Sequence, residues 1–407
     1  MTTSAEAPPT TEVDLGSPAV LADPYPSFAQ ERCRAAVAWH EPTGRWLTFD
    51  HASASAVLRD RRLGRRWVDR PPAARLEPFN LLHRHQMMEN EPPEHTRLRR
   101  LVAGAFNRGH VERLRPRVRV LAEQLLDQVD PAGFDVVGEY AEPLPVLVIA
   151  ELLGVPASLA PSLRTWSQAI VRMYEVAVSR DVEDAAVAAA AEFAEVVREL
   201  ARRRRAQPAA DLVSDLVAAR EGGAGLSEDE VVASTVLLLN AGHEASVNVF
   251  GNGLVGMLDG GARPAPGGLG RCVEEMLRYD PALQLFERTA TEPVRLGAVT
   301  VAPGQRVAAL LGAANRDPAV FVDPDVFRPD RSPNPHLAFG AGLHFCVGAP
   351  LARMELEEAL GLLLRRMPEL ERTGEPVPRG TFVLRGYRSV AVGCGHGRPR
   401  RAGREQA

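Results

Sequence analysis

Phe339-Gly340-Ala341-Gly342-Leu343-His344-Phe345-Cys346-Val347-Gly348, followed directly by Ala349-Pro350-Leu351-Ala352-Arg353-Met354-Glu355, is the stretch on which the reading of this chain turns. It sets one cysteine in a glycine-rich turn just ahead of a helix, with Pro350 in the first turn, where its missing N–H is no loss. A thiolate there faces backbone N–H groups and the positive end of the helix dipole, and both stabilise negative charge on sulfur. The glycines let the backbone pass close to a flat ligand.

This stretch resembles the haem-binding loop of the cytochrome P450 family, whose pattern Phe-Gly-x-Gly-x-His-x-Cys-x-Gly it matches at every fixed position. The resemblance implies a mainly α fold with a small β region, the cytochrome P450 fold, and one haem b. It makes Cys346 the axial thiolate on the haem iron, pushing electron density toward O–O cleavage. Phe339 would pack beneath the ring beside the sulfur, His344 would reach a propionate, and Gly340, Gly342 and Gly348 complete the loop. The ordinary reading of an isolated cysteine, an inert buried side chain, leaves that match unexplained.

Length and composition bound the rest. At 407 residues the chain exceeds the size at which one hydrophobic core stops growing. Residues 1–22, dominated by Ser, Thr, Pro and Ala, read as a flexible arm; 23–394 as a single haem domain; 395–407 as a flexible basic tail. No apolar run reaches the ~20 residues of a membrane helix, and the polar N-terminus is unlike a signal peptide. A cytoplasmic protein without a membrane contact is expected. The four cysteines form no Cys-x-x-Cys pair, which speaks against zinc and disulfides. A net charge of −4 argues against nucleic acid as a partner. No lysine occurs anywhere, a bias expected of a GC-rich genome.

Along the chain, Trp39-His40-Glu41 and Arg45-Trp46-Leu47-Thr48-Phe49 flank Pro42-Thr43-Gly44 as a β-hairpin, and His51 to Leu58 is helical. Gly64 to Asn90, rich in Arg, Pro and His, has no sustained period and reads as a long loop over a binding site. In the resembled family this region caps the substrate pocket, which makes Trp67, Phe79, Leu82, Met87 and Met88 candidate contacts. Trp67 and Phe79 could equally anchor the loop to the body. Next, His95 and Arg99 stand at i, i+4 on one helix face. Such a pair suits a carboxylate, and the family's His-x-x-x-Arg grips a haem propionate; the plain alternative is a solvated basic face.

Ser227-Glu228-Asp229-Glu230 is a capping box opening a helix that is apolar on nearly all sides through Val249, yet carries Asn240, His243, Glu244, Ser246 and Asn248. Ala241-Gly242-His243-Glu244-Ala245-Ser246 resembles the family's oxygen-binding stretch, in which a break in the helix beside Gly242 admits dioxygen and Glu244 feeds protons from solvent. Ala245 stands where the family usually has Thr, whose alcohol helps organise the water that delivers those protons. A substrate hydroxyl or amide could hold the water, Ser246 could take over, or the reaction could be a radical coupling or ring closure with relaxed proton demand. Adjacent helix positions point ~100° apart, so Ser246 should face away and the substrate-assisted reading is preferred. Leu238, Asn240 and Ala241 border the substrate by the same resemblance.

Glu275 and Arg278 at i, i+3 match the family's structural Glu-x-x-Arg motif, with a tie to a segment ending near Arg331. The glycine-rich run Asp259 to Gly268 cannot sustain the short helix usual there. Leu283, Gln284, Leu285 and Phe286 should line the pocket on a strand leading to Arg288, a propionate partner by resemblance. A late hairpin around Arg385 would return to the pocket. The implied function is a haem-thiolate monooxygenase acting on a natural-product intermediate, polyketide, macrolide or peptide-derived, in a bacterium. It would use O2 and NAD(P)H-derived electrons delivered by a ferredoxin and ferredoxin reductase to a monomer, with Arg99, Arg100, Arg108 and Arg353 as a docking face. Coupling without oxygen insertion is the nearer alternative. A peroxygenase, which would place Arg-Pro at Glu244-Ala245, and a non-catalytic haem module that recruits a partner are the more distant ones.

Overall fold

A computed structural model describes residues 8–103, 108–221 and 223–394. Its axis is the helix Glu228–Asp259, whose 32 residues span about 48 Å at ~1.5 Å per residue. The capping box forms as the sequence dictates: Ser227 Oγ accepts the Glu230 N–H at 3.2 Å and the Glu230 carboxylate accepts the Ser227 N–H at 2.7 Å. From Val231 to Met257 every residue is buried except Ala241, Gly242 and Ala245. The helices Pro143–Leu153, Ala160–Val171, Arg180–Ala206 and Leu269–Tyr279 pack around it. Gly253 and Gly256 permit the last of these to approach closely, since a Cβ on either would collide with the side chain of Met276 or Tyr279.

The expected hairpin is present, Val37–His40 pairing antiparallel with Arg45–Thr48 so that Trp39 faces Trp46 with ring centroids 5.4 Å apart. These strands belong to a six-stranded sheet that continues through Arg306–Leu310, Leu285–Ala290 and Leu63–Gly64. Val294–Leu296 and Val299–Val301 form a separate hairpin. The helix Ala349–Arg366 follows the cysteine loop and packs along Arg108–Leu126. No helix occupies 260–268, as the glycines require. Among the described residues no helix is long and apolar enough to cross a membrane.

Two expectations are corrected. Of the arm expected to be flexible over residues 1–22, residues 8–22 are built into the fold. Thr10–Thr11 adds a parallel strand to Val37–His40, Ser17 caps the helix Pro18–Ala22, and Leu15 and Val20 are buried. The ordering comes from far away: Arg385 donates to the carbonyls of Leu21 and Ala22 at 2.6 and 2.7 Å. The expected loop from Gly64 to Asn90 contains the helix Ala73–Arg84. Pro78 inside it forgoes one backbone hydrogen bond, but Leu76, Phe79 and His83 bury one face at i, i+3, i+7 and more than offset it. Residues 1–7 and the tail 395–407 lie outside the described residues.

The structural motif forms a buried knot. Both Glu275 oxygens accept from Arg278, at 2.7 and 2.8 Å, and from Arg331 Nε, at 2.9 and 3.1 Å, with all three side chains buried. Arg278 also donates to the carbonyls of Asn315 and Pro324, so the knot ties the helix Leu269–Tyr279 to the segment leading into the cysteine loop. Removing one partner strands buried charge at a cost of about 3–5 kcal/mol. Glu275→Ala is therefore expected to lose that much stability in urea unfolding, with poor haem retention; a loss under about 1 kcal/mol would contradict the assignment.

Candidate active site

The cysteine loop is shaped by two left-handed glycines, Gly340 at φ 68° and Gly342 at φ 70°. A Cβ on Gly342 would meet the Leu58 carbonyl oxygen at 2.5 Å, so the loop is wedged against the end of the helix His51–Arg59. The Cys346 N–H donates to the Phe339 carbonyl at 3.0 Å, closing the turn. Burial pushes the Cys346 thiol up, while the N–H groups of Gly348 and Ala349 and the guanidinium groups of Arg99 and Arg353 pull toward the thiolate. Gly348 has a negative φ, −83°, so it does not need the conformational freedom of glycine as Gly340 and Gly342 do. Phe339 lies under Arg353, 4.5 Å from the guanidinium to the ring centroid.

Beside this loop the structure gathers cations with unsatisfied groups. His95 is 1% exposed and neither ring nitrogen has a partner. Its ring lies 4.5 Å from that of His344, whose Nε2 is 2.9 Å from Glu91 Oε1. Burial, then His344 and Arg99, push His95 down to about 4, leaving it neutral at pH 7 with one N–H to donate. Arg99 reaches the Phe345 carbonyl at 2.7 Å. Arg288, 2% exposed, donates Nη1 to the Glu287 carbonyl at 2.9 Å, while its Nη2 has no partner. Buried donors without acceptors need a ligand that supplies them. A buried thiol facing two backbone N–H donors, with a neutral imidazole and a guanidinium awaiting acceptors, fits a haem with iron-ligating and propionate ends. Cys346 would hold the iron, and His95, Arg99 and Arg288 the propionates; His344 would have to leave Glu91 to join them.

The oxygen-binding stretch has one accessible face. Ala241 is exposed and Gly242 and Ala245 partly so, whereas His243, Glu244 and Ser246 are buried. Ala241 and Ala245 stand at i, i+4 and share a face that excludes Ser246. The break expected beside Gly242 is absent: the helix runs unbroken from Glu228 to Asp259. A Ser or Thr hydroxyl that bonds back to the i−4 carbonyl bends a helix. Ala245 has no such group to offer.

Glu244, 3% exposed, accepts from Arg379 Nη1 at 3.0 Å. Arg379 lies 3.5 Å from Glu142, and Glu142 lies 3.3 Å from the exposed Arg164 and accepts from Gln168 at 2.5 Å. Burial raises the Glu244 carboxyl and Arg379 opposes it. His243, 3.4 Å away, is pushed down to about 3 by burial and is neutral. Sequence reading missed Arg379 and Glu142, since nothing in Pro378-Arg379-Gly380 or Tyr140-Ala141-Glu142 marks them locally.

The expected pocket residues divide. Trp67 stacks on His83 at 4.5 Å beside Phe79, which is wholly buried, and Met87 and Leu238 are buried with Met88 packed against the same core. The Asn240 Oδ1 is buried without a partner. Leu285 is buried, Leu283 pairs with Leu384, and Phe286 lies between the guanidinium groups of Arg65 at 4.4 Å and Arg288 at 4.6 Å. Gln284 and Arg385 are corrected. Gln284 donates to the Pro281 carbonyl at 2.8 Å, and Arg385 is ion-paired with Asp280 at 3.0 Å. The Gln284 amide nitrogen and the Arg385 guanidinium are engaged around Asp280, while Gln284 Oε1 is buried without a partner. On the docking face, Arg353 is ion-paired with Glu274 at 2.6 Å, which weakens the basic patch; the side chain of Arg108 lies outside the described residues.

A family model described as Cytochrome P450 matches residues 269–379. Over 408 residues the chain is 36% identical to cytochrome P450 monooxygenase PikC of Streptomyces venezuelae, covering 96% of each protein. It is 39% identical over 375 residues to nocardicin C N-oxygenase of Nocardia uniformis subsp. tsuyamanensis, covering 89% of this chain and 92% of that one. The structure of P450BioI in complex with acyl carrier protein ligated by hexadec-9Z-enoic acid superposes with a TM-score of 0.87 at 31% identity, covering 93% of this chain and 99% of that one. This chain belongs to the cytochrome P450 family and is a P450 monooxygenase, using haem iron, O2 and electrons from NAD(P)H passed through redox partners.

Proposed function

We propose that this enzyme hydroxylates, or oxidatively closes or couples, a polyketide, macrolide or peptide-derived intermediate, with a polar group of the substrate helping to deliver protons. The observation that carries this reading is the accessible face of the central helix, which presents Ala241, Gly242 and Ala245 and no hydroxyl. The relatives' printed names, a monooxygenase PikC and a nocardicin C N-oxygenase, support an oxygenase of natural-product intermediates.

When bound, the haem supplies oxygen activation. In this reading Cys346 ligates the iron, its charge stabilised by the Gly348 and Ala349 N–H groups. His95, Arg99 and Arg288 hold the propionates. Glu244 passes protons inward, and Arg379, Glu142 and Arg164 make its polar route to the surface. Asn240 orients a polar substrate through its unpartnered amide oxygen region. A ferredoxin docks by the basic side chains of Arg100 and Arg108, with Arg353 contributing less because Glu274 pairs with it.

Ferric Soret titration of the purified protein with macrolactones and with cyclic peptides tests the substrate class, a saturable low- to high-spin shift being expected with one panel and neither shifting counting against it. In Ala245→Thr, product formed per reducing equivalent is expected to rise severalfold for a substrate analogue lacking its hydroxyl or amide; unchanged coupling with both analogue and native substrate would sink substrate assistance. Glu244→Gln is expected to lower kcat about 100-fold, the scale of lost general acid–base catalysis. Arg379→Gln removes the cation that favours the Glu244 carboxylate, so its carboxyl titrates higher and the corresponding limb of the pH–rate profile moves to higher pH. An unmoved limb would remove Arg379 from the route.

A further inference from the structure

Among the described residues, every other arginine that is buried or half-buried sends its guanidinium to a carboxylate or a carbonyl. Arg70 does not. Its guanidinium lies over Phe79, 5.3 Å from the ring centroid, and 5.9 Å from that of Trp67, with no hydrogen bond or ion pair. Its backbone, by contrast, is clamped on both sides by one buried amide. Asn80 Oδ1 accepts the Arg70 N–H at 3.0 Å and Asn80 Nδ2 donates to the Arg70 carbonyl at 3.1 Å.

The carboxylates around it are already engaged. Asp69 is held by Arg84 at 2.6 Å, Glu287 by Arg45 at 2.5 Å, Glu89 by Arg65 and Glu183 by Arg75. Burial lowers the Arg70 guanidinium, and the carboxylates of Glu89, Glu183 and Glu287, from three separate segments, oppose it. A half-buried cation held on an aromatic platform at a fixed root, with its neighbours neutralised by other arginines, is an anion site short of its anion. The surrounding acids disfavour a dianion, and a planar guanidinium fork matches a carboxylate.

We propose that Arg70, on the platform of Trp67 and Phe79, binds a carboxylate of the substrate at the pocket entrance and so selects acids over their neutral derivatives. This rests on the reading that the segment from Gly64 to Asn90 caps the substrate pocket. Arg70 is a specificity residue, remote from the chemistry: it orients the substrate by one end and leaves the other to be oxidised.

The test uses the haem-loaded enzyme with dodecanoic acid and phenylhexanoic acid, each beside its methyl ester, followed by calorimetry and by the ferric Soret shift. Acids are expected to bind at least about tenfold tighter than esters. Arg70→Gln should lose that preference by weakening the acids alone, and Arg70→Lys should keep part of it. The reduced carbon monoxide spectrum, with its thiolate band, should be the same in all three proteins. Equal binding of acid and ester by the unaltered enzyme, no binding of either acid, or a preference that survives Arg70→Gln would each overturn the proposal. Calorimetric acid preference without any Soret shift would keep Arg70 as an anion site but place it outside the pocket, refuting the capping reading instead.

Discussion

The position of the cysteine sulfur depends on a buried carboxylate more than two helices away. Glu275 shares its oxygens between Arg278 and Arg331 and also accepts the Arg328 N–H at 2.8 Å. From there, Arg278 fixes the Asn315 carbonyl and the Asn315 side chain accepts the Leu337 N–H at 2.8 Å, two residues before Phe339. Gly342 then wedges the loop against Leu58. Charges removed from water are tolerated only with such complete pairing. The same completeness fixes where the cysteine loop sits in the fold.

The central helix answers a different demand. It must cross the core, which its apolar surface permits, and still place the Glu244 carboxylate inside it. The carboxylate is carried there at the cost of burial, relieved by Arg379 from the other end of the chain. The accessible face of that helix, formed by Ala241, Gly242 and Ala245, carries no polar side chain.

What could be read from sequence was what is encoded locally. The capping box, the Glu275/Arg278 spacing, the hairpin across Pro42-Thr43-Gly44 and the cysteine loop each state their own geometry within ten residues. What could not be read was decided by partners hundreds of residues apart. Nothing near Gln284 or Arg385 in the sequence shows that both bond to Asp280. The helix Ala73–Arg84 was hidden by its prolines, although Leu76, Phe79 and His83 carried a short apolar period. The unsatisfied nitrogens of His95 and the bare guanidinium of Arg70 have no sequence signature, because a missing partner is visible only once every possible partner has been placed.

The Asp280 cluster joins Tyr25, Leu21 and Ala22 to Arg385. These groups are separated by most of the chain, so the contacts are among the longest loops the fold must close. The strand Thr10–Thr11 has its partner Val37–His40 close by in the chain, but the Arg385 ties to Leu21 and Ala22 must wait for the last hairpin. Closing the Asp280 cluster therefore joins elements that can each form before it, and ties the two ends of the described chain together.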